Sequence, residues 1–197
     1  MFIDFGGTFI VIPKSSDRAA ILKMINCKAL GTFAINETTG RLYLLNSNGD
    51  ATKYSTYYRD RLILAIGDPD VIAIKIGTSY VDPNTKKTEP ISKAGEGITL
   101  SGFWNVNTKV TDPVNATETT TTTQEPYSDV IISGKENTSG LSTGCVYKVA
   151  DILLHELVGH AIPNTVGSDT GNAIKNDNKA RQELGEVLRT AEPEHVE

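Results

Sequence analysis

The hexapeptide from His155 to His160 reads His-Glu-Leu-Val-Gly-His and carries the residue types of a zinc hydrolase. In such enzymes two imidazole rings bind the metal, and a neighbouring glutamate takes a proton from the metal-bound water. The usual H-E-x-x-H spacing places the histidines four residues apart on one face of a helix. Here Gly159 is an additional residue, so the second histidine lies five residues after the first.

The extra glycine has a geometric consequence. Five residues of a regular α-helix rotate a side chain by roughly 140°, so His155 and His160 would point in different directions. One i→i+5 turn absorbs the added residue. Such π turns are rare in proteins overall, and those that occur are often at functional sites. Gly159 costs a plain helix about 1 kcal/mol relative to alanine but tolerates unusual backbone angles. We therefore predict a π turn, with His155 and His160 as metal ligands and Glu156 as the catalytic base.

An alternative explanation requires no metal. Two histidines on an amphipathic helix can simply be hydrogen-bonded residues of an ordinary domain. In that case Gly159 misaligns the two rings, and the fold is a catalytically inactive binding or structural module. This alternative predicts that no wide turn forms in residues 155–160. Against it, two of the three histidines of the chain fall within one hexapeptide.

Length and composition limit the class of protein. A chain of 197 residues with 39% hydrophobic residues predicts one domain spanning 1–197. The net charge of -5 and scattered basic residues exclude a nucleic-acid-binding surface. No apolar run approaches the ~20 residues of a membrane span. No signal peptide is visible in residues 1–7. Cys27 and Cys145 have no metal-ligand or redox spacing, so a disulfide and two buried thiols both remain open.

The first part of the chain alternates helix and strand patterns. Capping residues followed by apolar residues at helical spacing predict the first helix. Turn residues separate the two strand patterns that follow it. The last strand is apolar on both faces, which predicts a central position in a sheet. These elements form an α/β N-terminal part, residues 1–77. They are a helix at 18–28, strands at 31–36 and 40–46, a helix at 56–66 and a strand at 71–76.

The second part of the chain surrounds the hexapeptide. Proline turns and a threonine run predict a loop-rich insertion at 78–128. In residues 129–197 we expect an edge strand at Val130–Ser133, then a motif helix at 144–161 ended by Pro163, then a helix at 171–184. This order predicts an α+β fold with an active-site helix and a C-terminal helix on a mixed or antiparallel sheet. Zinc peptidases commonly present such an edge strand to an extended substrate.

Two protein families have motifs similar to the hexapeptide and to the residues that follow it. The sequence resembles the H-E-x-x-G-H motif of dipeptidyl peptidase III, which has the same one-residue insertion. About the last 45 residues resemble zincin-like metallopeptidase domains of bacterial effector and Rhs-type toxin proteins. There, H-E-[LF]-x-G-H-A is followed by a helix of the form N-A-[VI]-x-x-E-N-x-x-R. The matching residues here are His155–Ala161, Asn172-Ala173-Ile174, Asp177-Asn178 and Arg181.

The resemblance implies a zincin-like fold, a Zn²⁺ cofactor and a zinc-dependent peptidase that acts on a protein or peptide substrate. The acidic residue before the asparagine would be the third ligand, which makes it Asp177, an aspartate where the pattern has glutamate. Glu183, Asp169 and His195 are the alternatives for this ligand. The resemblance also implies a secreted or translocated bacterial protein, with an immunity protein as a second partner.

Three further residues have expected supporting roles. Asp151 precedes His155 by four residues and could orient its second ring nitrogen, as carboxylates near metal sites do. Asn178 and Arg181 lie beside Asp177 on the predicted last helix. They could hold the carboxylate of Asp177 or stabilise the oxyanion that develops on the substrate.

Overall fold

The structure is a computed structural model that describes residues 9–68, 70–111, 118–134, 148–166 and 172–190. A short 3₁₀ helix covers Ile91–Ala94, and a π-helical segment covers Glu156–Ala161. The strands are β1 Phe9–Val11, β2 Thr32–Ile35, β3 Leu42–Asn46, β4 Val71–Gly77, β5 Ser79–Val81, β6 Thr88–Pro90, β7 Gly97–Thr111 and β8 Glu118–Ser133. The helices are α1 Ser15–Asn26, α2 Thr56–Gly67, α3 Lys148–His155, α4 Ile162–Val166 and α5 Ala173–Glu183.

The main sheet has the strand order β1-β4-β8-β7. β1 and β8 both run parallel to β4, whereas β7 is antiparallel to β8, so the sheet is mixed. The pairs β2–β3 and β5–β6 form two small antiparallel sheets. The α+β class predicted from the order of elements is therefore confirmed.

The strand predicted to be central is confirmed in that position. β4 lies between β1 and β8, and its Ile72 and Ile74 are buried. Val130 and Ile132 of β8 are also fully buried in the same hydrophobic core. Helix packing on this face of the sheet places α3 and the π-helical segment directly above β8 and β7.

The predicted loop-rich insertion at 78–128 is wrong. Most of it is regular strand, and β7 and β8 form one long hairpin whose register runs from Gly97 opposite Ile132 to Thr111 opposite Glu118. β8 pairs with β4 only from Tyr127 onward, so the rest of the hairpin extends beyond the sheet. Residues 120–124 are exposed on both faces. The strand therefore has no apolar alternation, while β-branched threonine still favours an extended backbone.

The predicted edge strand is also wrong. Val130–Ser133 belongs to β8, which has β4 on one side and β7 on the other. At this end of the sheet the outer strand is β7, which pairs with β8 on the side away from β4. Sequence order placed Val130–Ser133 just before the motif helix, but order alone does not determine which strand lies at the edge.

Both C-terminal helices form, with boundaries that differ from the prediction. The motif helix does not end at Pro163, because α4 continues to Val166. Proline is tolerated there because it occupies the first turn of α4, just after the π-helical segment. The last helix begins at Ala173, two residues after the predicted start, because Asn172 is its N-cap: the Asn172 side chain accepts a hydrogen bond from the Lys175 N–H at 2.9 Å.

Two compositional predictions can be compared with the structure. Within the described ranges, no helix has the length and apolar character that a bilayer crossing requires. Cys27, which follows α1, is disulfide-bonded. Cys145 lies outside the described residues.

Asp70 at the start of β4 gives a pH-dependent prediction. Burial, together with the charges of Asp68 and Glu125, raises the pKa of Asp70 to about 6. The folded protein then binds a proton that the unfolded chain releases near pH 4, so stability falls as pH rises from about 4 to 6. We expect Asp70→Asn to raise the free energy of unfolding by about 2 kcal/mol at pH 7.5.

Urea denaturation at pH 7.5 and pH 4 measures this effect. Asp70→Asn should stabilise at the higher pH and change little at the lower one. Asp60→Asn, at a half-exposed side chain on α2, is the matched control. An equal gain from Asp70→Asn at both pH values would contradict the proposed proton linkage.

Candidate metal centre

The predicted wide turn is present in the motif helix. Glu156–Ala161 is π-helical, between α3 and α4, and it contains Gly159. The ring centroids of His155 and His160 lie 5.1 Å apart, with the ring planes at 87°. The π turn therefore brings both imidazoles together. The inactive-module alternative predicted no such turn, and that part of it is wrong.

Gly159 has a second role that the sequence did not reveal. It is buried where α5 crosses the π-helical segment. A Cβ atom at this position would lie 3.1 Å from Cβ of Ala173 and 3.3 Å from its Cα atom. The glycine thus permits the close approach of α5, the helix that carries Asp177.

We expect larger side chains at residue 159 to destabilise the protein in order of size. Gly159→Ala requires Ala173 to shift by a few tenths of an ångström and should cost about 1 kcal/mol. Gly159→Leu must separate α5 from the π-helical segment and should cost about 3 kcal/mol or more. Thermal and urea unfolding measure both. Gly67→Ala, where no atom lies within 4 Å of the added Cβ, is the control. Equal stability of Gly159→Ala and Gly159→Leu would contradict the close packing.

Asp177 lies against His155. Its Oδ2 atom is 3.2 Å from Nδ1 of His155, and its Oδ1 atom is 3.0 Å from Nε of Arg181. Burial acts to raise the pKa of Asp177, but the contact with His155 and the charge of Arg181 outweigh it, so the pKa is lowered. The side chain is therefore a buried carboxylate held by cations. In metal sites a carboxylate beside one ring nitrogen of a histidine leaves the other nitrogen for the metal, and at His155 that nitrogen would be Nε2.

The alternative third ligands do not complete the site within the described residues. Glu183 caps α2 instead, accepting hydrogen bonds from Ser55 Oγ at 2.7 Å and from the Tyr57 N–H at 2.8 Å. Asp169 and His195 lie outside the described residues. Across the parts of the chain that the structure describes, no set of three His, Cys, Asp or Glu side chains is arranged to hold a metal ion.

The supporting residues are arranged differently from the prediction. Asp151 forms an ion pair with the buried Lys28, and Asp177 takes the position at Nδ1 of His155 that was predicted for Asp151. Arg181 holds the carboxylate of Asp177, as predicted. Asn178 instead forms two hydrogen bonds with the main chain of Arg189, beyond the end of α5. A helical spacing of four residues placed Asp151 near His155, but Lys28 comes from the turn after α1, which only the tertiary fold brings close.

Glu156 is positioned by the edge strand β7. The residue is only 7% exposed, and Thr99 Oγ1 donates a hydrogen bond to its Oε2 at 2.7 Å. Burial raises the pKa of Glu156, and the Thr99 hydrogen bond with the charges of His155 and Arg189 offsets part of this effect. A Cβ at Gly97 would lie 3.3 Å from Oε1 of Glu156, so β7 passes directly against the carboxylate.

Sequence reasoning missed both residues on β7. Gly97 and Thr99 are two positions apart and so face the same side of the strand. Gly97 provides the close approach, since a Cβ would lie 2.3 Å from Ile152 Cγ2. The only signal in the sequence is this pair of small residues in alternation, and it does not point to Glu156.

Comparison with known proteins gives no relative, because no family model, curated protein or solved structure matches this chain. The similarity to zincin-like domains therefore rests on the short motifs alone. What the site can do follows from its two histidines, its buried glutamate and the carboxylate behind His155.

Proposed function

We propose that this chain is a zinc-dependent peptidase of zincin type, which hydrolyses a protein substrate with metal-activated water. The observation that carries the proposal is the π turn that places His155 and His160 with ring centroids 5.1 Å apart. Imidazole is a preferred zinc ligand. The Asp177 carboxylate, 3.2 Å from Nδ1 of His155, supports the fit, because a proton held on Nδ1 would leave Nε2 to bind the metal.

Each residue of the site would have a separate role in the reaction. His155 and His160 would hold Zn²⁺, which lowers the pKa of a bound water to about 7. Glu156 would take the proton of that water and pass it to the leaving amine. Burial in the contact with β7 raises the pKa of Glu156, which suits a group that must accept and then release a proton. Asp177 would orient His155 rather than bind the metal itself.

The substrate we propose is an extended segment of polypeptide. β7 is one of the two outer strands of the main sheet, and its Thr99 contacts Glu156. A peptide added beside β7 would pair with its main chain next to the catalytic base. Backbone pairing of this kind recognises an extended conformation and depends little on the substrate's side chains.

The inactive-module alternative retains one supporting observation. The described residues provide two histidines but no third protein ligand. The sequence offers Asp169 and His195 as further candidates for it, both outside the described ranges. A peptidase should bind one zinc ion per chain, whereas the inactive module should bind none.

The full chain tests the proposal directly. We expect one equivalent of zinc in the purified protein, and cleavage of an unfolded model protein such as reduced, alkylated casein. Chelation with 1,10-phenanthroline should abolish cleavage, and added Zn²⁺ should restore it. Absence of stoichiometric zinc after incubation with excess Zn²⁺ would refute the proposal. A bacterial effector role, export from the cell and an immunity protein are further parts of the proposal that rest on the resemblance alone.

A further inference from the structure

A short segment after α5 contributes to the buried surroundings of His155. It comprises Glu186–Arg189, and it returns along α5 because Gly185 adopts a positive φ of 65°. Asn178 of α5 fixes the end of this segment with two hydrogen bonds: its Nδ2 donates to the Arg189 carbonyl at 2.9 Å, and its Oδ1 accepts from the Arg189 N–H at 2.8 Å. The main chain of Arg189 is thereby held beside Asp177.

The Arg189 side chain reaches the same oxygen that faces His155. Its Nε atom lies 3.1 Å from Oδ2 of Asp177, and Nδ1 of His155 lies 3.2 Å from that oxygen. Arg181 contacts the other oxygen, Oδ1, at 3.0 Å. The fully buried carboxylate is thus held from both sides by two arginines.

The two arginines have opposing effects on the carboxylate. An arginine and a carboxylate favour a bidentate arrangement in which two N–H groups bind both oxygens. With Arg181 alone, Asp177 could rotate into such an arrangement and move Oδ2 away from His155. Arg189 opposes that rotation, because its guanidinium pairs with Oδ2, the oxygen that faces His155.

We propose that Arg189 is a positioning residue of the metal centre, which holds Oδ2 of Asp177 at Nδ1 of His155. The segment Glu186–Arg189 is therefore part of the site and not a peripheral tail. This inference rests on the proposed function only for its effect on zinc. The orientation of the His155 ring is a property of the metal-free chain and can be measured separately.

Nuclear magnetic resonance of the metal-free full chain provides the first measurement. In the unsubstituted protein, ¹⁵N–¹H correlation spectra should show His155 as a single tautomer with the proton on Nδ1. Arg189→Met keeps most of the side-chain length but removes the donors, and it should give a mixture of tautomers. Arg189→Lys retains a charged donor and should largely restore the single tautomer. Arg59→Met on α2, whose arginine pairs with Asp60, is the matched control and should have no effect.

Zinc affinity provides the second measurement, by competition with a chromophoric chelator. We expect Arg189→Met to weaken zinc binding roughly tenfold, the lower end of the range for groups that support a ligand, and Arg189→Lys to recover most of the loss. Asn178→Ala should change the His155 tautomer ratio and the zinc affinity in the same direction as Arg189→Met. It replaces Arg189→Met as the test if that variant does not fold. A folded Arg189→Met protein with the Nδ1-protonated tautomer unchanged would overturn the inference. Absence of zinc binding in the unsubstituted chain would refute the proposed function while the tautomer measurement still decides the role of Arg189.

Discussion

Glu156→Gln is expected to reduce peptidase activity by about a thousandfold while one equivalent of zinc stays bound. The loss is large because an amide cannot accept the proton of the metal-bound water, a role worth roughly 10²–10⁴ in rate. The fold should be retained, since the amide oxygen of glutamine can still accept the hydrogen bond from Thr99. The measurement is kcat/KM on a fluorogenic peptide that the unsubstituted chain cleaves, with metal content determined on the same samples.

A second glutamate of the chain provides the control for this prediction. Glu183→Gln introduces the same chemical change at a residue that caps α2. We expect Glu183→Gln to keep both zinc and activity within a fewfold range, since the structure assigns Glu183 no part in the metal centre. Undiminished cleavage by Glu156→Gln would remove the catalytic role of Glu156. Loss of zinc in Glu183→Gln would indicate that Glu183 is a metal ligand.

Replacing Asp177 should have the largest effect on stability. Its carboxylate is fully buried and faces His155, Arg181 and Arg189. Asp177→Ala leaves two guanidinium groups next to each other without their shared partner, which should lower the free energy of unfolding by about 3–5 kcal/mol. Asp177→Asn retains the size and one acceptor and should cost less. Chemical denaturation of the metal-free chain measures both, with Asp60→Ala on α2 as the control.

The zinc affinity of Asp177→Asn distinguishes the two roles considered for this residue. A carboxylate that only orients His155 accounts for a 10–100-fold change in metal affinity when it is replaced. A third ligand, in contrast, is required for stoichiometric binding in a site with only two other protein ligands. We expect the first result. A folded Asp177→Asn protein without bound zinc would show that Asp177 is a direct ligand, as the resemblance implied.

Local patterns in the sequence were sufficient for the elements that depend on local chemistry. The helices α1, α2 and α5, the strands β2 and β3 and the central position of β4 all follow from apolar periodicity and capping residues. The hairpin β7–β8 did not follow, because residues 120–124 of β8 are exposed on both faces and so lack the alternation that identifies a half-buried strand. Edge position was equally inaccessible, since it depends on pairing between distant segments.

The π turn could be predicted from the sequence alone. Two histidines five residues apart share one face of a helix only if a wider turn lies between them, and such a turn is a matter of local backbone geometry. The residues that surround the imidazole rings of His155 and His160 depend on the tertiary structure. Thr99 reaches Glu156 from β7, and Arg189 reaches Asp177 from beyond α5. Such contacts between residues far apart in the chain arise only when strands and helices pack, and no spacing in the sequence encodes them.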